Sequence, residues 1–183
     1  NKSAVEVGVR RSKARVRIPR FPRRVRAFVS FPARVILCRV IHTWNGRWVK
    51  VEITSAEKAF ETLRDKVSGD VEEFWALALG PKKTLLASRM IFRGTVDSCL
   101  VHPRDIFRFA CLENASSLLV AHNHPSGDLV PSQEDLRFTR QLLKAAEVME
   151  IPIVDHLILT TSTYSSLRSD GWCRFDPRSV RSI

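Results

Sequence analysis

One stretch, VAHNHPSGDLVPSQED (residues 120–135), restricts the fold more than any other part of the chain. An apolar run from Ser117 to Ala121 ends in His122 and His124, two residues apart. Alternate residues of a strand point to the same face. Both imidazoles therefore aim one way where a sheet ends, and Asn123 aims the other way. Pro125, Gly127, Asp128 and Pro131 carry the chain through a loop. Ser132 then starts a helix that runs to Met149, with apolar residues at Leu136, Leu142, Leu143 and Ala146. Asp135 lies one turn in. A chain with this pattern brings a strand end, a loop and a helix start to one place.

Two imidazoles and one carboxylate make a three-ligand set that leaves a fourth zinc position open. That is the donor pattern of a catalytic zinc site, whereas structural sites are closed. Other readings of the same residues stand beside it. The histidines of an HxH strand end can be bonded to neighbouring carbonyls. Ser132 and Asp135 also spell a capping box. The two roles of Asp135 compete, because an oxygen on a metal is less available to the cap.

The remaining elements follow from local signals. RVILCRVIHTWNGRWVKVEI (34–53) reads as a hairpin about Asn45-Gly46. Thr54 or Ser55 caps a helix with Ala56, Ala59, Phe60 and Leu63 on its apolar face, ended by Ser68-Gly69-Asp70. Residues 71–79 and 83–92 are strands, 102–114 a helix with Pro103 in its first turn, and 152–161 a strand. Residues 163–172 form a last hairpin or short helical turn. The order is ββαββαβαβ, a mixed α/β domain with helices against a central sheet.

Charge divides the chain. Residues 1–50 carry 14 Lys/Arg and one acid, Glu6, whereas the remainder has 16 Lys/Arg against 18 Asp/Glu. The stretch RRSKARVRIPRFPRRVRAF (10–28) has neither helical stripe nor sustained alternation, and too little apolar surface to offset its ordering entropy. Residues 1–34 thus read as a weakly ordered basic arm and 35–183 as the folded domain. Such an arm suits nucleic-acid phosphates, a solvated interaction tail or an organelle transit peptide. No run approaches the roughly 20 apolar residues of a membrane span. The four cysteines include no CxxC pair. They read as reduced thiols, which points to a cytoplasmic protein.

His122-Asn123-His124-Pro125 followed by Ser132-Gln133-Glu134-Asp135 resembles the JAMM (MPN+) metalloprotease motif, HxHP then SxxD. HNHPSGD followed by PS and Asp is closer still to the RadC family. FRGTVDSCLVHPRDIF (92–107), IVDHLIL (153–159) and YSSLRSDGW (164–172) extend the resemblance over roughly residues 35–175. RadC proteins usually carry a helix-hairpin-helix segment before this domain, and this sequence shows only the basic arm there. The resemblance implies a three-layer αβα sandwich with a mixed sheet, similar to the cytidine-deaminase-like JAB/MPN fold. It implies Zn2+ on His122, His124 and Asp135. It also implies a glutamate from an early strand as general acid/base. The RadC-like pattern places that glutamate two residues before an aromatic, which selects Glu72 before Phe74. Glu73 is the alternative, since neighbours in a strand face opposite ways. Ser132 would hydrogen-bond a developing oxyanion. Asp155 either orients a ligand histidine from behind or is a buried structural carboxylate, and His156, His102 and His42 read as structural.

The implied function is a zinc-dependent metallohydrolase that cleaves a peptide or isopeptide bond in a protein or peptide substrate. The alternative is a nucleic-acid-associated protein whose arm binds DNA or RNA, with an auxiliary metal site. A non-enzymatic scaffold is the third reading, against which stands the presence of all three ligands. The letters HNH do not make a nuclease, because HNH nucleases spread them over a ββα unit. A zinc deaminase needs HxE and PCxxC, and neither occurs. Oligomeric state and substrate identity are not encoded in any of these features.

Overall fold

The computed structural model describes residues 41–44, 47–94 and 101–175. The basic arm, the Asn45-Gly46 pair, Cys38 and Cys99 lie outside the described residues. β1 (Ile41–Trp44) and β2 (Arg47–Lys50) pair antiparallel as a separate two-stranded sheet, with Trp44 opposite Arg47, the register of a two-residue connection. α1 (Ala56–Leu63) starts where the Ser55 hydroxyl accepts the Lys58 N–H at 3.2 Å. It ends before the expected Ser68-Gly69-Asp70 stop, because the Lys66 and Val67 N–H groups both turn back onto the Leu63 carbonyl.

The main sheet has five strands in the order β4-β3-β5-β6-β7. These are β3 (Glu73–Leu79), β4 (Leu85–Arg93), β5 (Ser117–Asn123), β6 (Ile153–Leu159) and β7 (Tyr164–Ser166). α2 (Pro103–Leu112) precedes β5, and α3 (Gln133–Met149) connects β5 to β6. β5 and β6 are parallel and the other pairings antiparallel. Every residue of β5 and β6 is buried, as expected of strands covered on both faces.

Strand alternation sorts the core into two layers. Phe74, Ala76, Leu118, Val120 and Ile158 pack with Ile106 and Phe107 of α2 and with Leu136, Leu142 and Ala146 of α3. Leu77, Leu79, Leu119, Ala121 and Leu157 pack with Ala59, Phe60 and Leu63 of α1. The result is a three-layer αβα sandwich around a mixed sheet. Full burial of a Leu or Ile contributes roughly 1.5–3 kcal/mol, so these two layers hold the strand ends firmly. The element order has one strand more than the sequence pattern gives. Residues 164–166 pair with β6 as an edge strand, and a tight turn follows, closed by the Trp172 N–H on the Leu167 carbonyl at 2.9 Å.

A register change in β6 matters for the site. Leu118 pairs with Ile153, but Val120 pairs with His156. Two residues of β5 are matched by three of β6, the signature of a one-residue bulge. Among the described residues no helix is long and apolar enough to cross a membrane.

Candidate metal centre

His122 is the penultimate residue of β5, with its ring on the α2/α3 face, 1% exposed, opposite Phe74 of β3 in register. His124 follows just past the strand, and Asp135 projects from the first turn of α3. The His122 and His124 Nε2 atoms are 3.0 Å apart. Asp135 Oδ1 lies 3.3 Å from His122 Nε2, and Oδ2 lies 3.4 Å from His124 Nε2. Bonds of about 2.0–2.1 Å to a tetrahedral zinc separate the ligand atoms by about 3.3–3.4 Å. One ligand atom from each of the three residues lies within 4.8 Å of the others, and the two imidazole–carboxylate distances, one to each Asp135 oxygen, are near that spacing, so the donor set suits such an ion.

The proton positions follow from the hydrogen-bond network. Thr139 Oγ–H donates to the Asp135 carbonyl at 2.6 Å. Its oxygen is then free to accept from His156 Nδ1–H at 2.7 Å. Burial, and next the neighbouring His122, push the His156 imidazole well below its ordinary pKa, so it is neutral. His156 Nε2 therefore carries a lone pair and accepts His122 Nδ1–H at 2.8 Å. That leaves a lone pair on His122 Nε2, facing the cluster. On the other side His124 Nδ1–H donates to the Asp128 carbonyl at 2.8 Å, which frees its Nε2 in the same way. Two lone pairs and a carboxylate then converge, an arrangement that a cation satisfies. A proton satisfies the same geometry less completely. The hydrogen bond to Asp135 raises the His124 imidazole above its ordinary value. Burial alone would raise the Asp135 carboxyl, but the bonds from His122 and His124 hold it far below the usual carboxylate range.

The expected competition between cap and ligand at Asp135 is resolved by dividing its oxygens. Oδ2 accepts the Ser132 N–H at 2.8 Å and the Ser132 hydroxyl at 2.7 Å, and Ser132 Oγ accepts the Asp135 N–H at 3.1 Å. The capping box is complete. Oδ1 carries no capping bond and faces His122. Ser132 thus borders the cluster with its hydroxyl proton held by Asp135.

A cleft of about 770 Å³ opens over the centre, with Glu72, Phe74, Val101, Ser132 and Phe138 among its lining beside the three candidate ligands. Glu72 precedes β3 by one residue and lines the cleft with the histidines. Glu73 is 2% exposed and absent from that lining. Its carboxylate accepts the Ser68 hydroxyl at 2.9 Å and Trp75 Nε1–H at 3.1 Å, and faces Arg93 at 3.5 Å. Asn123 turns away from the histidines, as strand alternation requires. Its Oδ1 accepts the Glu73 N–H and its Nδ2 donates to the Val71 carbonyl, both at 2.8 Å, so it fixes the backbone on either side of Glu72.

Of the two readings of Asp155, the buried structural carboxylate is the one observed. It accepts the Ser166 hydroxyl at 2.6 Å and the N–H groups of His156 and Arg168 at 2.7 and 3.2 Å. The residue behind His122 is His156, which sequence reasoning set aside as structural. The β6 bulge explains the exchange. Counting by twos from Ile153 puts Asp155 on the α2/α3 face, but the extra residue puts His156 there. Thr139 was also missed, as a polar interruption of an apolar face. His102 caps α2 without a side-chain bond and is not among the clustered ligands, and His42 lies in β1. Cys111 and Cys173 are free thiols.

Residues 53–172 match the family of RadC-like JAB domains. Among curated proteins, a UPF0758 protein of Thermosynechococcus vestitus is 54% identical over 97 residues, covering 53% of this chain and 39% of its own length. Those of Gloeothece citriformis and Desulforudis audaxviator are 42% and 37% identical, each over 69% of this chain and over 53% and 55% of their own lengths. The chain spans about half the length of the curated relatives it matches.

Proposed function

The chain belongs to the family of RadC-like JAB domains, and from that premise we propose that it is a zinc-dependent metallohydrolase that cleaves a peptide or isopeptide bond. The observation that carries this reading is the convergence of two imidazole nitrogens and a carboxylate oxygen in a cleft that also holds a separate carboxylate, Glu72. Held by His122, His124 and Asp135, zinc would supply a Lewis acid and would lower the pKa of a water toward neutrality. Glu72 is the general base. It takes the proton of the attacking water and later returns it to the leaving amine nitrogen. Ser132 donates its hydroxyl to the oxyanion, which requires exchange of its present bond to Asp135. Phe74 and Phe138 give the cleft apolar walls, which exclude bulk water around these groups.

The test is metal content joined to hydrolysis. The purified full chain should hold one zinc and cleave peptide-bond or isopeptide substrates in a panel. Chelation should stop cleavage, and added zinc should restore it. A His124→Ala variant that retained full zinc would end the ligand assignment. A zinc-loaded chain inactive on every amide substrate would end the hydrolase reading.

A second reading, association with nucleic acid through the basic arm with the metal site auxiliary, is favoured by the 14 basic residues against one acid in residues 1–50. Neutralising the arm by Arg→Gln changes should then weaken DNA or RNA binding and flatten its salt dependence, since each phosphate contact on duplex DNA adds roughly −0.9 to the log–log slope.

A further inference from the structure

A second concavity, of about 460 Å³, lies on the side of α3 turned away from the sheet. One wall is α3 itself, through Arg137, Arg140, Gln141 and Lys144, and the other is the segment Trp172–Arg174. Four cations line it and no acid does. Arg137 pairs with Glu134 at 2.9 Å. Among the described residues Arg140, Lys144 and Arg174 have no ion-pair partner. Arg137, Arg140 and Lys144 follow one another at about one turn of α3, about 5.4 Å, so they form a row along one wall, and Arg174 adds a charge on the other.

The opposite wall is fixed in place. Leu167 O accepts the N–H groups of Trp172 at 2.9 Å and Cys173 at 3.2 Å, and Phe175, 7% exposed, is anchored in the core. Trp172 nevertheless leaves 45% of its surface in solvent. Nearly half of a large ring is thus left open beside a row of cations, more apolar surface than the fold itself uses. It offers an aromatic surface in the same groove as charges that suit phosphates.

We infer that this groove binds single-stranded nucleic acid, with Arg140, Lys144 and Arg174 on the phosphates and Trp172 stacked on a base. A stack plus a cationic track is the combination that sequence-tolerant single-strand binding uses. An acidic peptide would match the charges but would leave the indole face without a planar partner. The inference does not depend on the hydrolase reading or on the arm, because the groove shares no residue with the metal cleft.

The experiment titrates the full chain with a fluorescein-labelled oligo(dT) 12-mer and follows anisotropy, and with an unlabelled 12-mer while following tryptophan emission. Wild type should bind with quenching. Trp172→Phe should lose most of the quenching, and Trp172→Ala should weaken binding by about 5-fold or more, the loss of one stacked base. Arg140→Glu with Lys144→Glu should weaken binding further and lower the salt slope by about 1.4, two contacts at roughly 0.7 each on single strands. The melting point and far-ultraviolet circular dichroism should stay at the wild-type values in all of them, which separates groove damage from unfolding. Unchanged affinity in Trp172→Ala and in the double charge reversal, with unchanged quenching in Trp172→Phe, would overturn the proposal and assign any binding to the arm. Competition by poly-glutamate as effective as by oligo(dT), with equal quenching, would overturn it in favour of an acidic protein partner.

Discussion

The relay behind His122 predicts that a hydroxyl with no contact to the ligand cluster's open side controls metal affinity. Thr139→Val is the perturbation. It is close in size but removes the oxygen that accepts His156 Nδ1–H at 2.7 Å. That donor is buried, since Thr139 is 0% and His156 1% exposed, so no water replaces the bond. An unsatisfied buried donor costs roughly 1–3 kcal/mol. At about 2–4 °C per kcal/mol for a chain of this size, the melting point should fall by several degrees. The ring of His156 is then no longer held in one tautomer. If its proton moves to Nε2, it opposes the proton on His122 Nδ1 across 2.8 Å. His122 must shift its own proton toward Nε2, where the metal would bind. Loss of such an outer hydrogen-bond partner typically costs 10- to 100-fold in metal affinity.

Zinc affinity measured by competition with a chromophoric chelator, beside melting of the chelated protein, checks this. Thr139→Val should weaken zinc binding by about 10-fold or more, and His156→Leu by at least as much. Thr139→Ser keeps the hydroxyl and should restore affinity even if its smaller side chain lowers the melting point. A merely structural role predicts the opposite pattern, with affinity following stability through all three variants. Zinc binding by Thr139→Val as tight as wild type would refute the relay.

Glu72→Gln should keep its zinc and lose about 10²–10⁴-fold in hydrolysis rate, whereas Glu73→Gln should show itself in the melting point, because its carboxylate bonds Ser68 and Trp75. The reverse pattern, read by paired rate and melting measurements, would exchange the two roles. Asp155→Ala should be strongly destabilising and Asp155→Asn mild, with zinc content intact in both, since Asn still accepts the two backbone N–H groups and offers an N–H to the Ser166 oxygen. Burial raises the Asp155 carboxyl above its ordinary 3.8 despite the bond from Ser166. Its contribution is therefore complete below the unfolded value and lost as pH rises through the folded one, so Asp155→Asn should gain on wild type between acid and neutral pH in urea titrations. Chelation of the zinc-loaded protein should lower its melting point but leave far-ultraviolet circular dichroism at 25 °C unchanged. Collapse of the helical signal would show that the metal is needed to fold the domain.

The layers were legible because the helices and the longer strands carried their own periods and the helices their own starts. Ser55, Pro103 and Ser132 start helices where the sequence places them. The candidate cluster was legible in the same way, since a strand end and a helix start carry His122, His124 and Asp135, which the fold brings within 4.8 Å of one another. What escaped was set by pairing between distant segments. The β6 bulge is invisible in IVDHLIL, because alternation counted from Ile153 and from Ile158 gives opposite answers for Asp155 and His156. Residues 164–166 are too short to announce a strand and become one only against β6. Trp172 and the cations of α3 lie 28 or more residues apart in sequence, counting from Lys144, and only the folded turn after β7 brings them to one groove.

The double use of Asp135 bears on how the centre works. A ligand supplied by a loop is positioned only when the ion arrives, and part of the binding energy goes into ordering it. Here Oδ2 is held by the backbone and hydroxyl of Ser132, and Thr139 holds the Asp135 carbonyl one turn on. His122 is clamped by His156 from behind, and His124 by the Asp128 carbonyl. Each candidate ligand is therefore aimed by a bond made with an atom other than the one it would offer a metal. Such a site costs little to order on binding. It also resists the geometric relaxation that would let a larger, oxygen-seeking cation fit. The same bonds tie the first turn of α3 to the end of β5, which places the cleft at the point where the sheet, its crossover helix and the loop between them meet.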